Sequence, residues 1–565
     1  MMSDFKNLII TVLLSTLILV GWQYFYENPK IEQSVAKAKL HKENSANSKA
    51  SLDSYASLLD PKTVIKETKR VKIISDKLTG SINLEGMRFD DLSLTNYKNS
   101  PTAEDGNVVL LSPSNTKNSY FIETGWVGNN IELPNSHTVW QADKEILKPN
   151  DSIDFHWTNS QNLNFKTTVS LDNNYMFSIK QTVKNNSNHP INLAPFGLIN
   201  KLLTDTHKSY TILHEGPIGV FKGKLVERTY EDLKKKNKEN FEINSSGDWL
   251  GITDKYWLTA LIPSSKINFN TNFTHLVKGN HHLYQTDFLG NMNQVAPGQE
   301  LEFTHLVFTG AKELKLLDQY EAKYGLKLFD HAVDFGWFYF LTKPMFNALQ
   351  YFYKVFGNFG IAILILTISI KLIMFPLANR SYKSMSKMKK LQPEFSKLKE
   401  LYGDDKLRIN KEMIELYKKH NVNPLSGCLP LIVQIPVFFS LYKVLFVTIE
   451  MRHAPFFGWI KDLSAPDPTS LFNMFGLLPW DPPSFLAIGI WPILMGITMY
   501  FQQKMNPEPA DPIQAQVMKF LPLIFIFMFS NFPAGLIIYW AWNNLLSIIQ
   551  QWIINRSLDA QPVKK

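Results

Sequence analysis

The chain has 565 residues, of which 19% are charged and 13% aromatic, with a formal net charge of +9 and one cysteine, Cys428. An ordinary soluble domain carries roughly 25% charged residues, and one cysteine forms no intrachain disulfide, so these figures exclude a disulfide scaffold, a disordered chain and a simple soluble enzyme. The cationic excess suits nucleic acid or an anionic membrane, and the long apolar runs within 7–25 and 355–555 favour the membrane.

Residues 1–6 form a short head, expected on the cytoplasmic side. Residues 7–25, NLIITVLLSTLILVGWQYF, carry no charge and end in an aromatic cluster. As a helix they reach roughly 28 Å, close to the hydrocarbon thickness of a bilayer. The alternative is a cleaved signal peptide, but the run is long for one and no small-x-small cleavage site or lipoprotein cysteine follows it. The expectation is an uncleaved anchor, followed by a flexible linker over 26–60. From 61 to 334 short alternating runs such as 70–86, 107–117, 164–185 and 301–310 are separated by Asn-, Asp- and Gly-rich turns. This predicts one large all-β domain, with Tyr230–Glu239 as its main helix. His214, Glu215, His281 and His282 stand at no metal or triad spacing. Adjacent His281 and His282 point to opposite faces of a strand, so no catalysis is expected there.

Residues 335–357 are intensely aromatic and read as an interfacial helix lying along the outer membrane surface, the alternative being a helix packed on the β domain. Apolar runs at 358–378, 428–449, 484–502, 517–532 and 535–554 complete six expected spans. Prolines 430, 436, 492 and 522 are tolerable where neighbours satisfy the freed backbone. The segment 379–425 is rich in cations, among them Arg380, Lys387, Lys389, Lys390 and Lys397, and is expected in the cytoplasm. The loop 450–483 then faces outward, and the loop 503–516 and the tail 555–565 face inward. Within 379–425, apolar stripes at Met385, Met388, Leu391, Phe395 and Leu398, and at Leu407, Ile409, Met413, Leu416 and Tyr417, predict a helical hairpin with Gly403 as stop and Asp404 as cap. Such a hairpin serves either as a topology determinant hugging anionic lipid or as a movable docking surface.

Lys371 lies inside the second span, where an ionisable group costs about 2.5–3.5 kcal/mol at mid-membrane. It either snorkels to the headgroups or faces a hydrophilic cavity lined by Thr367, Ser369, Gln434, Ser440, Asn543, Asn544 and Ser547. No acidic residue lies within any span. Lys443 and Lys519 are nearer span ends and are read as snorkelling. Cys428, without a His/Asp constellation, is read as packing.

The runs 371–445 (KLIMFPLANRSYKSMSKMKKLQPEF and onward), 450–468 (EMRHAPFFGWIKDLSAPDP) and 532–551 (FPAGLIIYWAWNNLLSIIQQ) resemble the YidC family of bacterial membrane protein insertases. The single anchor followed by a large β domain resembles the Gram-negative form. The resemblance implies a periplasmic β-super-sandwich fold on a polytopic α-helical membrane protein of the inner membrane. It also implies insertion of nascent membrane proteins, alone or beside the Sec translocon, with the ribosome as a transient partner. Lys371 is implied as the groove cation, and Thr367, Gln434, Phe438, Met528, Tyr539, Trp540 and Asn543 as groove or substrate contacts. Ribosome contact falls to the hairpin, including Lys387, Lys389, Lys390 and Lys397, because the tail is short. No enzymatic chemistry, cofactor, metal or direct nucleic-acid partner is implied. Familiar members carry Arg at the groove position; Lys371 keeps the charge without the fork geometry. Against a solute transporter with a receptor-like outer domain stand the lack of acidic residues in the spans and of inverted-repeat symmetry. A sugar-binding or sugar-modifying protein rests on fold analogy alone.

Overall fold

The computed structural model describes residues 58–100, 106–128, 131–203, 213–243, 247–263, 268–278, 281–403, 405–420, 422, 429–478, 480, 482–483, 487–506 and 512–559. The expected anchor 7–25, the linker up to residue 57, Asp404 and Cys428 lie outside the described residues. The described residues divide into two compact units, one of 58–334 together with Val447–Ile449 and the other of 335–446 and 450–559.

In the first unit the described strands form an eleven-stranded and a nine-stranded sheet. In the larger, Ile191–Leu203 runs antiparallel to both Tyr120–Gly128 and His281–Gly290. In the smaller, Met176–Asn185 runs antiparallel to both Leu163–Leu171 and Glu300–Ala311, setting Ile179 opposite Val169 and His305. Leu163–Leu171 buries every second residue, the signature of one covered face. Gly216–Phe221 and Trp249–Thr253 are buried throughout, so they show no alternation to a reader of the sequence. Aromatic rings fill the space between the sheets: Phe89 meets Phe177 and Phe269 meets Phe303 at 5.5 Å, and Phe221 meets Phe273 at 5.7 Å. These edge-to-face and tilted pairs combine large buried area with favourable ring electrostatics. His305, 1% exposed, lies against Phe288 and stacks on Phe303 with no hydrogen-bond partner for either ring nitrogen among the described residues.

The helix anticipated at Tyr230–Glu239 spans Tyr230–Lys236 and is fixed by a Thr229–Asp232 capping box. It stops because the next residues join the strand Lys238–Ile243. A second helix, Leu314–Tyr324, was not anticipated; it buries Leu314, Leu316, Leu317 and Tyr320 and ends at Gly325 in the left-handed region.

The helical unit opens with α1 (Tyr339–Phe356), which ends at Gly357 with φ +68°, its N–H bonded to the Tyr353 carbonyl. Asn358 then caps α2 (Phe359–Ile373), its side chain accepting from the Ile361 N–H at 3.1 Å. The expected continuous span 358–378 divides at Met374 into α2 and α3 (Phe375–Lys390), bent by 70°. Pro376, in the first turn of α3, marks the break. The expected hairpin arm divides again at Leu391, where Pro393 opens α4 (Gln392–Tyr402). α4 stops at Gly403, and Asp405 caps α5 (Lys406–Lys419), accepting from the Arg408 N–H at 3.0 Å. Phe395 and Tyr417 join α4 to α5 edge to face at 5.2 Å.

Four further helices follow: α6 (Leu429–Val447), α7 (Ile490–Met505), α8 (Pro512–Phe529) and α9 (Ala534–Asp559). α9 packs against α7, α2 and α3, and α7 packs against α8. At the α7–α8 crossing a Cβ on Gly496 would lie 2.3 Å from the end of the Ile526 side chain, so any larger residue would push that side chain aside. Met495, Phe529, Ile537 and Ala541 form the core between α7, α8 and α9. Among the described residues no single helix is long and apolar enough to cross a membrane; α2 and α3 meet the length and composition requirement together, as a bent pair.

Candidate functional site

The helical unit brings Lys371 and the polar face of α9 together. Lys371 donates from Nζ to Ser547 Oγ at 2.6 Å, and Ser547 Oγ donates to the Asn543 carbonyl at 2.8 Å. Asn543, Asn544 and Ser547 are all buried. Lys371 is the only ionisable residue of α2, and α6, α7 and α8 contain no acidic residue, so its described partner is a hydroxyl. Thr367 lies one turn before Lys371 on the same face. It is 2% exposed and its hydroxyl bonds back to the Ile363 carbonyl at 2.7 Å. Its hydroxyl proton is therefore spent on its own helix.

The other predicted contacts fall into separate clusters. Gln434 of α6 donates to the Tyr539 hydroxyl of α9. Phe438 of α6 meets Trp540 of α9 at 4.8 Å, and Trp540 also meets Phe525 at 5.6 Å and Phe529 at 4.8 Å on α8. Tyr539 is buried; Trp540 is half-buried beside the α7–α9 core. Met528 joins neither cluster and is 48% exposed. Lys387, Lys389, Lys390 and Lys397 are exposed on α3 and α4. Lys389 reaches the Lys504 carbonyl in the last turn of α7 at 3.1 Å, a favourable position for a cation.

Sequence reasoning named Asn544 but stopped at Ser547 and passed over the rest of the polar face. Asn544 Nδ2 donates to Thr498 Oγ1 at 3.4 Å, and Gln551 Nε2 donates to the Met505 carbonyl at 3.2 Å. Beyond them both amide atoms of Gln550, Nε2 of Gln503 and Oδ1 of Asn555 are buried without a protein partner among the described residues. The signal was present: residues 543, 544, 547, 550 and 551 are polar at helical spacing within an otherwise apolar run. The groups of His, Cys, Asp and Glu among the described residues include none that could hold a metal ion.

Two family models cover most of the chain. One described as the YidC periplasmic domain matches residues 70–348, and one described as the 60Kd inner membrane protein matches residues 351–561. The membrane protein insertase YidC of Rickettsia akari (strain Hartford) is 53% identical over 563 residues, covering 98% of this chain and 100% of the relative. That of Rickettsia bellii (strain OSU 85-389) is 53% identical over 561 residues with the same coverage. A solved structure titled as an active YidC insertase with its first transmembrane domain resolved is 17% identical, covers 85% of this chain and 92% of that chain, and superposes with a TM-score of 0.35. On the full-length identity to its curated relatives and the two adjoining family matches, the chain belongs to the YidC family of membrane protein insertases, with a β-sandwich periplasmic domain and no enzymatic step.

Proposed function

We propose that the chain inserts nascent proteins into the inner membrane through a polar groove centred on Lys371 and open to the cytoplasm and the lipid. In this reading 7–25, 358–378, 428–449, 484–502, 517–532 and 535–554 are six spans with both termini in the cytoplasm. The observation that carries the reading is the placement of Lys371. A lone cation on an apolar helix meets a hydroxyl of α9 instead of a carboxylate. Beyond it, buried amides of Gln503 and Gln550 lack protein partners among the described residues. Buried polar groups are normally hydrogen-bonded, so this face suits water or the polar backbone of a passing chain. An acidic outer tail of a client is drawn to the Lys371 charge, which compensates the carboxylate while it leaves water. The apolar helix of the client then slides past Phe438, Trp540 and Met528 into lipid, and burial of its apolar surface drives the step. The cations of α3 and α4 serve anionic lipid and transient ribosome contact, and cooperation with the Sec translocon belongs to the same proposal.

The test is insertion of a single-span client with an acidic outer tail into liposomes holding the parent protein, Lys371→Arg or Lys371→Glu. Arg is expected to support insertion and Glu to abolish it for the acidic client. Equal insertion by all three proteins would remove the groove cation from the mechanism. No insertion by the parent would turn the search toward solute flux.

A further inference from the structure

The segment 468–480, PTSLFNMFGLLPW, contains no charged residue. Instead of packing its apolar side chains inward, it turns them out: Leu477 is 80% exposed, and Leu471, Phe472, Met474, Phe475 and Trp480 are each 40–55% exposed. Scattered exposed apolar residues are ordinary, but a contiguous set marks an interaction surface.

Several backbone amides of this segment find partners within it. The N–H of Phe475 bonds to the Ser470 carbonyl at 2.8 Å, that of Leu478 to Asn473 at 3.0 Å, that of Met474 to Leu471 at 3.1 Å and that of Leu477 to Met474 at 3.3 Å. Met474 and Phe475 hold positive φ, 51° and 59°, which closes the chain into a tight knob. Non-glycine residues enter that region at a cost of order 1–3 kcal/mol, so the surroundings must enforce it. In hydrocarbon every backbone polar group needs an internal partner, and these four amides already have one.

The knob is bolted to the start of α7. Leu471 N–H donates to the Ile488 carbonyl at 2.9 Å, the Ile490 N–H donates to Thr469 Oγ1 at 3.0 Å, and the Trp491 N–H donates to Asp467 Oδ2 at 2.9 Å. Asp467 also accepts from Trp459 Nε1 at 3.1 Å. Along α7 the exposed residues Leu494, Ile497 and Phe501 make one apolar stripe, so the apolar surface of the knob continues an apolar helix face. Trp459 and Trp480, both partly exposed, stand where amphipathic rings prefer the headgroup layer.

We propose that residues 470–478 form a lipid-inserted finger seated in the outer leaflet of the bilayer, holding the first turn of α7 at the membrane surface. The proposal rests on the spanning orientation of α7 given above. Its occupant is lipid because the finger offers a partner apolar surface alone, with neither charge nor an unsatisfied backbone amide among the four named.

The test uses the full chain in liposomes. In a Cys428→Ser background, single cysteines are introduced as Leu477→Cys, Ile497→Cys and Lys461→Cys and labelled with an environment-sensitive fluorophore. All three sites are exposed, so the label displaces no core. Label at 477 is expected to emit at shorter wavelength than label at 461 and to be quenched by lipids carrying a nitroxide on the upper acyl chain, with little quenching by aqueous iodide. Quenching by nitroxide lipid at 497 with iodide quenching at 477 would overturn the finger and leave the spanning reading standing. Protection of 477 from both quenchers would mean that protein covers the knob, and would also overturn it. Iodide quenching at both 477 and 497 would overturn the spanning reading together with the finger.

Discussion

Lowering the pH from 7 to 5 is expected to cost the β unit about 2 kcal/mol through His305 alone. The ring is enclosed by Phe288 and Phe303 and gains no compensating hydrogen bond. Burial pushes its pKa from the ordinary 6.5 down to about 3. An unfolded chain takes up this proton below pH 6.5, whereas the folded chain resists until about pH 3, so in that window the unfolded state binds more protons. Stability is therefore full above pH 6.5 and is lost as the pH falls toward 3. At pH 5 the gap to the unfolded value is about 1.5 pH units at about 1.36 kcal/mol each, which gives the 2 kcal/mol. His214, pushed down to about 4 by burial, titrates in the same direction. The comparison that isolates His305 is consequently the parent against His305→Phe, which fills the site with another ring and removes the proton. Urea unfolding of the full chain in detergent micelles at both pH values gives two pH-induced losses, and their difference cancels any packing cost of the phenylalanine. The parent is expected to lose about 2 kcal/mol more than the variant. Equal losses in the two proteins would refute the reasoning and place the acid sensitivity elsewhere.

Three further outcomes are expected in the helical unit. Asp467→Ala removes the acceptor for Trp459 Nε1, for the Thr469 N–H and hydroxyl, and for the Trp491 N–H. It should cost about 2 kcal/mol and lower the thermal midpoint in micelles, with Asp467→Asn recovering part of the loss. Gly360→Ala places a methyl 1.9 Å from the Phe456 ring and should cost about 1–3 kcal/mol by overpacking. Gly357→Asn, at positive φ with nothing within 4 Å of the added carbon, carries the backbone cost alone, about 1 kcal/mol.

What the sequence shows and what it hides divide along physical lines. Alternating burial made strands such as Leu163–Leu171 readable, and strands buried on both faces, such as Trp249–Thr253, were readable only as apolar runs. Composition measures apolarity but not direction, so 358–378 read as one rod, although the chain turns at Met374 ahead of Pro376. The stop at Gly403 was visible in advance, while the cap falls on Asp405 instead of its neighbour Asp404, since two adjacent acids offer the same signal. The Lys371–Ser547 bond joins residues 176 positions apart, and no local pattern specifies such a pairing. The loop 450–483 was read for its few cations and for the resemblance of 450–468, and no local pattern announced that Leu471, Phe472, Met474, Phe475 and Leu477 turn outward.

The bend between α2 and α3 also sets how far charge travels. Backbone bonds flank it on both sides, with the Met374 N–H on the Ile370 carbonyl and the Ala378 N–H on the Met374 carbonyl, both at 2.9 Å, while Pro376 between them has no N–H to give. Arg380, Lys383, Lys387, Lys389 and Lys390 all follow the bend. Continued straight, the sixteen residues of α3 would carry them about 24 Å along the axis of α2. At 70° the projection on that axis falls to about 8 Å, which is one Debye length at physiological ionic strength. In the spanning orientation proposed for α2, the turn converts a mast into an outrigger: five positive charges spread mainly sideways, within reach of an anionic surface that a straight helix would have carried most of them beyond.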